Sequence, residues 1–159
     1  MSCVGDDGAV GVFVCPIPSG VVSMLQPTFR PIISVIRVTP DRSCVEVNLD
    51  MEGMVASGFG NVIGDDTMRA AGVATCEAVD RLLPDGYELS LAWVELFKRT
   101  DDTGEGHAVI NVAVELRTLG RAHPETLLGA ALVHHDVEVA AVRATLDGLT
   151  RRLAPAILG

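Results

Sequence analysis

DTMRAAGVATCEAVDRLL, Asp66 to Leu83, returns seventy residues later as DVEVAAVRATLDGLTRRL, Asp136 to Leu153. Ala70-Ala71 falls on Ala140-Ala141, Ala74-Thr75 on Ala144-Thr145, and Arg81 on Arg151. One stretch recurring this way is the mark of an internal duplication, so the fold is expected to be built twice, with a site where the copies meet. In the first copy Met68, Ala71, Thr75, Ala78 and Leu82 recur at helical spacing, and in the second Val142, Leu146, Leu149 and Leu153 form one apolar stripe. Glu77 with Arg81, and Asp147 with Arg151, stand four apart with the acid first, which favours an exposed pair. Asp66 and Asp136 stand where a helix cap is needed.

Upstream the repeat continues at a shifted offset. Val45-Glu46-Val47-Asn48-Leu49 resembles Val112-Ala113-Val114-Glu115-Leu116, and Gly53 falls opposite Gly120, which implies about three extra residues in the second copy near His123-Pro124-Glu125. Ile32–Val38, Cys44–Leu49 and Met54–Ser57 read as strands, followed by a glycine-rich loop, Gly58-Phe59-Gly60-Asn61-Val62-Ile63-Gly64-Asp65-Asp66, opening the helix. In the second copy Glu88–Arg99, His107–Arg117 and Thr126–His134 are the strands. The expected fold is α+β: two tandem βββα units, residues 31–84 and 85–159, with antiparallel sheet and the helices packed on one face.

Residues 1–30 read as an N-terminal arm. Gly8 to Leu25 is Val-rich, but Asp6 and Asp7 precede it where a secretory signal carries positive charge, and Pro16 and Pro18 interrupt it. No membrane association is expected. Across the 159 residues, 48% apolar and 21% charged residues suit a globular chain, and a net charge of −9 with Lys98 as the single lysine argues against nucleic acid. Cys3, Cys15, Cys44 and Cys76 are too scattered for a zinc site and read as free thiols, which points to a cytoplasmic protein.

Gly58-Phe59-Gly60 leading into Asp66 and an Ala-rich helix, Gly104-Glu105 before an Ala-Val strand, and Gly129 leading into Asp136 and Ala140-Ala141 carry a family resemblance. Between about Pro31 and Pro155 the chain resembles the C-terminal regulatory domain of 2-isopropylmalate synthases, without the catalytic barrel and its metal-binding motif. The resemblance implies a pair of βββα units that binds leucine as a feedback inhibitor near the glycine-containing loops and takes part in dimer assembly.

The residues at these junctions have chemistry of their own. Glycines let backbone approach a ligand, and free N–H groups at a helix start favour a carboxylate, while Asp66 and Asp136 are suited to receive an ammonium group. Gly58, Gly60, Asn61, Asp65, Asp66, Gly129, Ala130, His134 and Asp136 are therefore the candidate ligand-binding residues. The alternative is that the aspartates only cap helices and the glycines only turn the chain. The function expected is a stand-alone regulatory module that binds a small amino-acid or 2-oxo-acid type carboxylate, forms a homodimer and acts on a separate catalytic subunit. The other reading is a small biosynthetic enzyme, an isomerase, cyclase or lyase, in which His134 or His135 works with Glu95 or Glu115 as an acid–base pair. No cofactor and no metal are expected; Trp93 and Phe97 on one strand face read as core or dimer interface.

Overall fold

The computed structural model describes residues 30–100, 102–104 and 106–157. The expected arm, with Cys3 and Cys15, lies outside the described residues except for Arg30. The element order is β1 (Ile32–Val38), β2 (Cys44–Met51), β3 (Met54–Asn61), α1 (Thr67–Asp80), β4 (Tyr87–Thr100), β5 (Gly106–Thr118), β6 (Glu125–Leu132) and α2 (Val137–Ile157). This is the α+β arrangement of two βββα units. Each unit forms its own antiparallel three-stranded sheet, ordered β1-β2-β3 and β4-β5-β6. Among the described residues no helix is long and apolar enough to cross a membrane.

Strand alternation sets which face each helix covers. Val45, Val47, Leu49 and Met51 of β2 are buried, as are Ile110, Val112, Val114 and Leu116 of β5. These meet the small residues of the helices, Ala70, Ala71, Ala74 and Ala78 in α1 and Ala140, Ala141 and Ala144 in α2, in one core cluster that joins both units. α1 also rests on β4, where a Cβ added at Gly72 would come within 3.0 Å of the Leu91 side chain.

The register fixes the equivalence of the copies and corrects the offset read from the sequence. Val47 faces Gly58 and Val112 faces Gly129, separations of eleven and seventeen residues, so the second hairpin is six residues longer, not three. Val47 is therefore the structural partner of Val112, and Val45 that of Ile110. The first hairpin closes on Glu52-Gly53, both at positive φ (53° and 86°), a two-residue turn whose Gly53 N–H donates to Asp50 Oδ1 at 2.9 Å. Eight residues, Arg117 to Pro124, occupy the same place in the second unit. Both first strands carry an irregularity at the same point, between Ile33 and Val35 and between Leu91 and Trp93. That bulge changes the faces expected for β4: Leu89 and Leu91 join Val94 and Leu96 on the core, while Trp93 and Phe97 turn outward.

The first four residues of the glycine-rich loop are not loop. Gly58, Phe59, Gly60 and Asn61 are the end of β3, and Gly129 and Ala130 lie inside β6. A Cβ at Gly58 would stand 1.9 Å from the Ala74 carbonyl oxygen, at Gly60 1.9 Å from that of Ala70, and at Gly129 1.9 Å from that of Ala144. Helix backbone thus fills the space in front of these glycines, so they serve close helix–strand packing, and that space is not open to a ligand.

The two acid–Arg pairs do more than bridge one helix turn. Arg81 meets Glu77 at 2.6 Å and Arg151 meets Asp147 at 2.8 Å. Glu77 Oε2 also accepts the Phe59 N–H at 2.6 Å, and Asp147 Oδ2 accepts the Ala130 N–H at 3.2 Å. Arg81 donates to the Ser57 carbonyl, and Arg151 Nη2 to the Leu128 carbonyl at 2.9 Å. Each helix therefore caps the free edge of its outer strand with a charged pair, which blocks that edge from further strand pairing.

Candidate functional site

The expected site residues divide into three groups. Gly58, Gly60 and Gly129 pack against helices, as described above. Asp65 and Asp66 do lie where the two units meet. The Thr67 hydroxyl donates to Glu138 Oε1 at 2.5 Å, which joins the start of α1 to that of α2, beside a cleft of about 460 Å³ lined by Arg42, Asp65, Asp66, Thr67 and Glu138. Its charge suits the ammonium end of an amino acid and not the carboxylate end. Asp66 already caps α1 by accepting the Arg69 N–H at 2.9 Å, and three carboxylates face one guanidinium, so a ligand carboxylate would be repelled. Asn61 lines a different cleft of about 340 Å³, with Phe59, Ile63, Arg69 and Val73, where Asp66 again supplies negative charge.

His134, His135 and Asp136 form the third group. β6 ends at Leu132, and all three residues are exposed in the connection to α2. The Asp136 carbonyl accepts the Ala140 N–H at 3.2 Å, but its carboxylate makes no capping bond. Among the described residues no group of three His, Cys, Asp or Glu side chains is placed to hold a metal. Glu95 and Glu115 are not brought to the histidines. Glu95 lies in the row of Asn111 and Ala130, four residues before His134, and Glu115 in the row of Thr126, eight residues before it, roughly 13 and 26 Å along the strand direction. None of these four residues lines a cleft described here, so the acid–base pair of the enzyme reading is not assembled.

The structure instead assembles a surface on the outer face of the second sheet. Residues directly opposite in register share a face, so the outer rows are Trp93–Ala113–Leu128, Glu95–Asn111–Ala130 and Phe97–Val109–Leu132. Trp93 is 42% exposed, Phe97 48%, Leu128 60% and Leu132 52%. Together they make two apolar rows, on either side of the Glu95–Asn111–Ala130 row, on a sheet whose other face is already the core. Along the β6 edge, Trp93, Phe97, Asn111, Leu128, Ala130 and Arg151 line a cleft of about 360 Å³ with no carboxylate in its wall. Arg151 reaches it from α2 across the strand edge, held by Asp147 and the Leu128 carbonyl; Nη1 has no partner among the described residues. The Asn111 amide is likewise uncommitted there. Ala130 is the one predicted binding residue whose side chain faces this cleft.

Sequence reasoning set Trp93 and Phe97 aside as core or interface and treated Arg151 only as half of a helix pair. The signal that marks them is in β4 itself. Leu-Ala-Trp-Val-Glu-Leu-Phe, residues 91–97, is apolar on both strand faces, which belongs to a strand covered on both sides. No protein-family model matches this chain, and no curated protein matches it.

Proposed function

We propose that the protein is a non-catalytic regulatory module that binds a small apolar carboxylate, an amino acid or 2-oxo acid, in the cleft between Trp93, Phe97 and Arg151. This is the class of ligand that the resemblance to the 2-isopropylmalate synthase regulatory domain implies. The observation that carries the reading is the composition of that cleft: an aromatic and aliphatic wall, one guanidinium held by Asp147 and one free amide, with Glu95 on the same face but outside the lining. A branched side chain would lie against Trp93, Phe97 and Leu128 while its carboxylate pairs with Arg151 and accepts from Asn111.

The same face supports self-association. Two copies laid together on their outer β4-β5-β6 faces would bury Trp93, Phe97, Leu128 and Leu132 and close the cleft over its ligand. Binding and dimer formation would then be linked, so that ligand strengthens the dimer and dimer strengthens ligand binding. Such a module would act in the cytoplasm, where Cys44 and Cys76 stay as thiols, on a separate catalytic subunit.

Trp93 is the single tryptophan, so fluorescence reports on this face, and titrations are run at fixed protein concentration. Titration with leucine, valine and 4-methyl-2-oxopentanoate is expected to give a saturable change with at least one of them. Absence of a saturable response across all three contradicts the assignment.

A further inference from the structure

We infer that the six-residue insertion of the second unit builds a separate binding site for a compact dianion, of the kind carried by a phosphate monoester. It is independent of the Trp93 cleft and concerns the opposite end of β5. The first unit closes its hairpin with Glu52-Gly53; at the same place the second unit carries Arg117, Arg121 and His123. Two clefts adjoin here and share both arginines. One, of about 360 Å³, lies between Gly86-Tyr87-Glu88 and Arg117–Arg121; the other, of about 190 Å³, is closed by His123 and Pro124.

Arg117 makes no ion pair among the described residues, and Arg121 makes only a long one. Arg117 is opposite Glu88 in register but forms no ion pair with it among the described residues. Glu125, the nearest acid on β6, is engaged by Arg152 Nε at 2.9 Å to both carboxylate oxygens, and Arg121 reaches it only at 3.7 Å. Both arginines can therefore turn toward an anion. On a chain of net charge −9, two guanidiniums around paired clefts, with Glu88 as the one acid in their walls, form a local positive field that a single carboxylate would not fill. A dianionic group bonded by two guanidiniums does so, and Tyr87, packed against the core, bounds the larger cleft on one side.

Isothermal titration of the full chain at low ionic strength, with inorganic phosphate and with glycerol phosphate, tests the site. One saturable event is expected, weakened at least tenfold by Arg117→Gln and by Arg121→Gln and unchanged by Arg143→Gln on the exposed face of α2. Both hairpin residues are exposed, so their variants are expected to keep wild-type melting temperature, which is measured alongside. No saturable phosphate binding up to roughly 10 mM, equal affinity in the two hairpin variants and wild type, or equal binding of acetate would each overturn the inference.

Discussion

The two copies agree where helix meets strand and disagree where sheet meets solvent. Gly58 and Gly129 receive the Ala74 and Ala144 carbonyls in the same way, and Glu77–Arg81 and Asp147–Arg151 clamp the same strand edge. On the outer faces the matching rows are Val35–Asn48–Ser57 against Trp93–Ala113–Leu128, and Cys44–Asn61 against Val109–Leu132. At Gly58 and Gly129 the packing is the same in both copies, because there helix backbone occupies the space a side chain would need. The solvent-facing positions differ, and those of the second unit carry the larger apolar side chains.

The largest expected effect probes the shared part. Gly58→Ala and Gly129→Ala should each destabilise by about 3 kcal/mol or more in urea titration, because a methyl group would displace helix backbone rather than a flexible side chain. Similar losses sharpen the equivalence; a neutral result in either unit breaks it.

Arginine variants separate clamp from site. Arg81→Gln and Arg151→Gln should cost comparable stability, about 1 kcal/mol, since each removes the same pair of bonds to helix and strand. Only Arg151→Gln should weaken the Trp93 fluorescence response, by about tenfold or roughly 1.4 kcal/mol. Equal ligand affinity in both variants would remove Arg151 from the site.

Alkaline pH distinguishes the two helices. Burial, reinforced by the negative charge of Asp80, pushes the Cys76 thiol from 9.0 up to about 12, whereas the second helix has Leu146 at that position. Below pH 9 the thiol is protonated in both folded and unfolded chains and has no effect on the balance. Above it the unfolded chain ionises first, so stability falls by about 1.4 kcal/mol per pH unit until the folded thiol also titrates. Comparing urea midpoints at pH 8 and pH 10, Cys76→Ala should lose less stability than wild type; identical slopes would show that the buried thiol is not their source.

The smallest effect concerns Gly148, whose counterpart in α1 is Ala78. Gly60 of β3 corresponds to Ala131 of β6, while Ala78 of α1 corresponds to Gly148 of α2. A Cβ at Gly148 would meet β6 backbone at 3.1 to 3.3 Å, which offsets the gain in helix propensity. Gly148→Ala should therefore shift stability by less than about 1 kcal/mol in the same assay.

The sequence was most legible where its signal is periodic. The helix repeat, the order of strands and the acid–Arg spacing could be read directly, because side chains three and four apart, or two apart, report their own face. The residues of the proposed site could not. The bulge near Ala92 moves Trp93 and Phe97 off the face that simple alternation gives them, and Arg151 enters by crossing a strand edge that only the fold creates. Gly58 and Gly60 misled for a related reason: a glycine beside a helix start fits a ligand loop as well as a tight strand–helix contact, and the choice depends on what occupies the space before its Cα. The length of the second hairpin was underestimated because Val-rich strands align equally well when shifted by two residues.

Sedimentation equilibrium on matched variants tests most directly whether the second sheet's outer face is the working surface. The wild-type chain and the Val35→Ser/Phe59→Ser variant, altered on the first sheet, are predicted to be dimers, and the Trp93→Ser/Phe97→Ser variant a monomer. A monomeric wild type, or dissociation by the first-sheet variant and not by the second, would contradict the account.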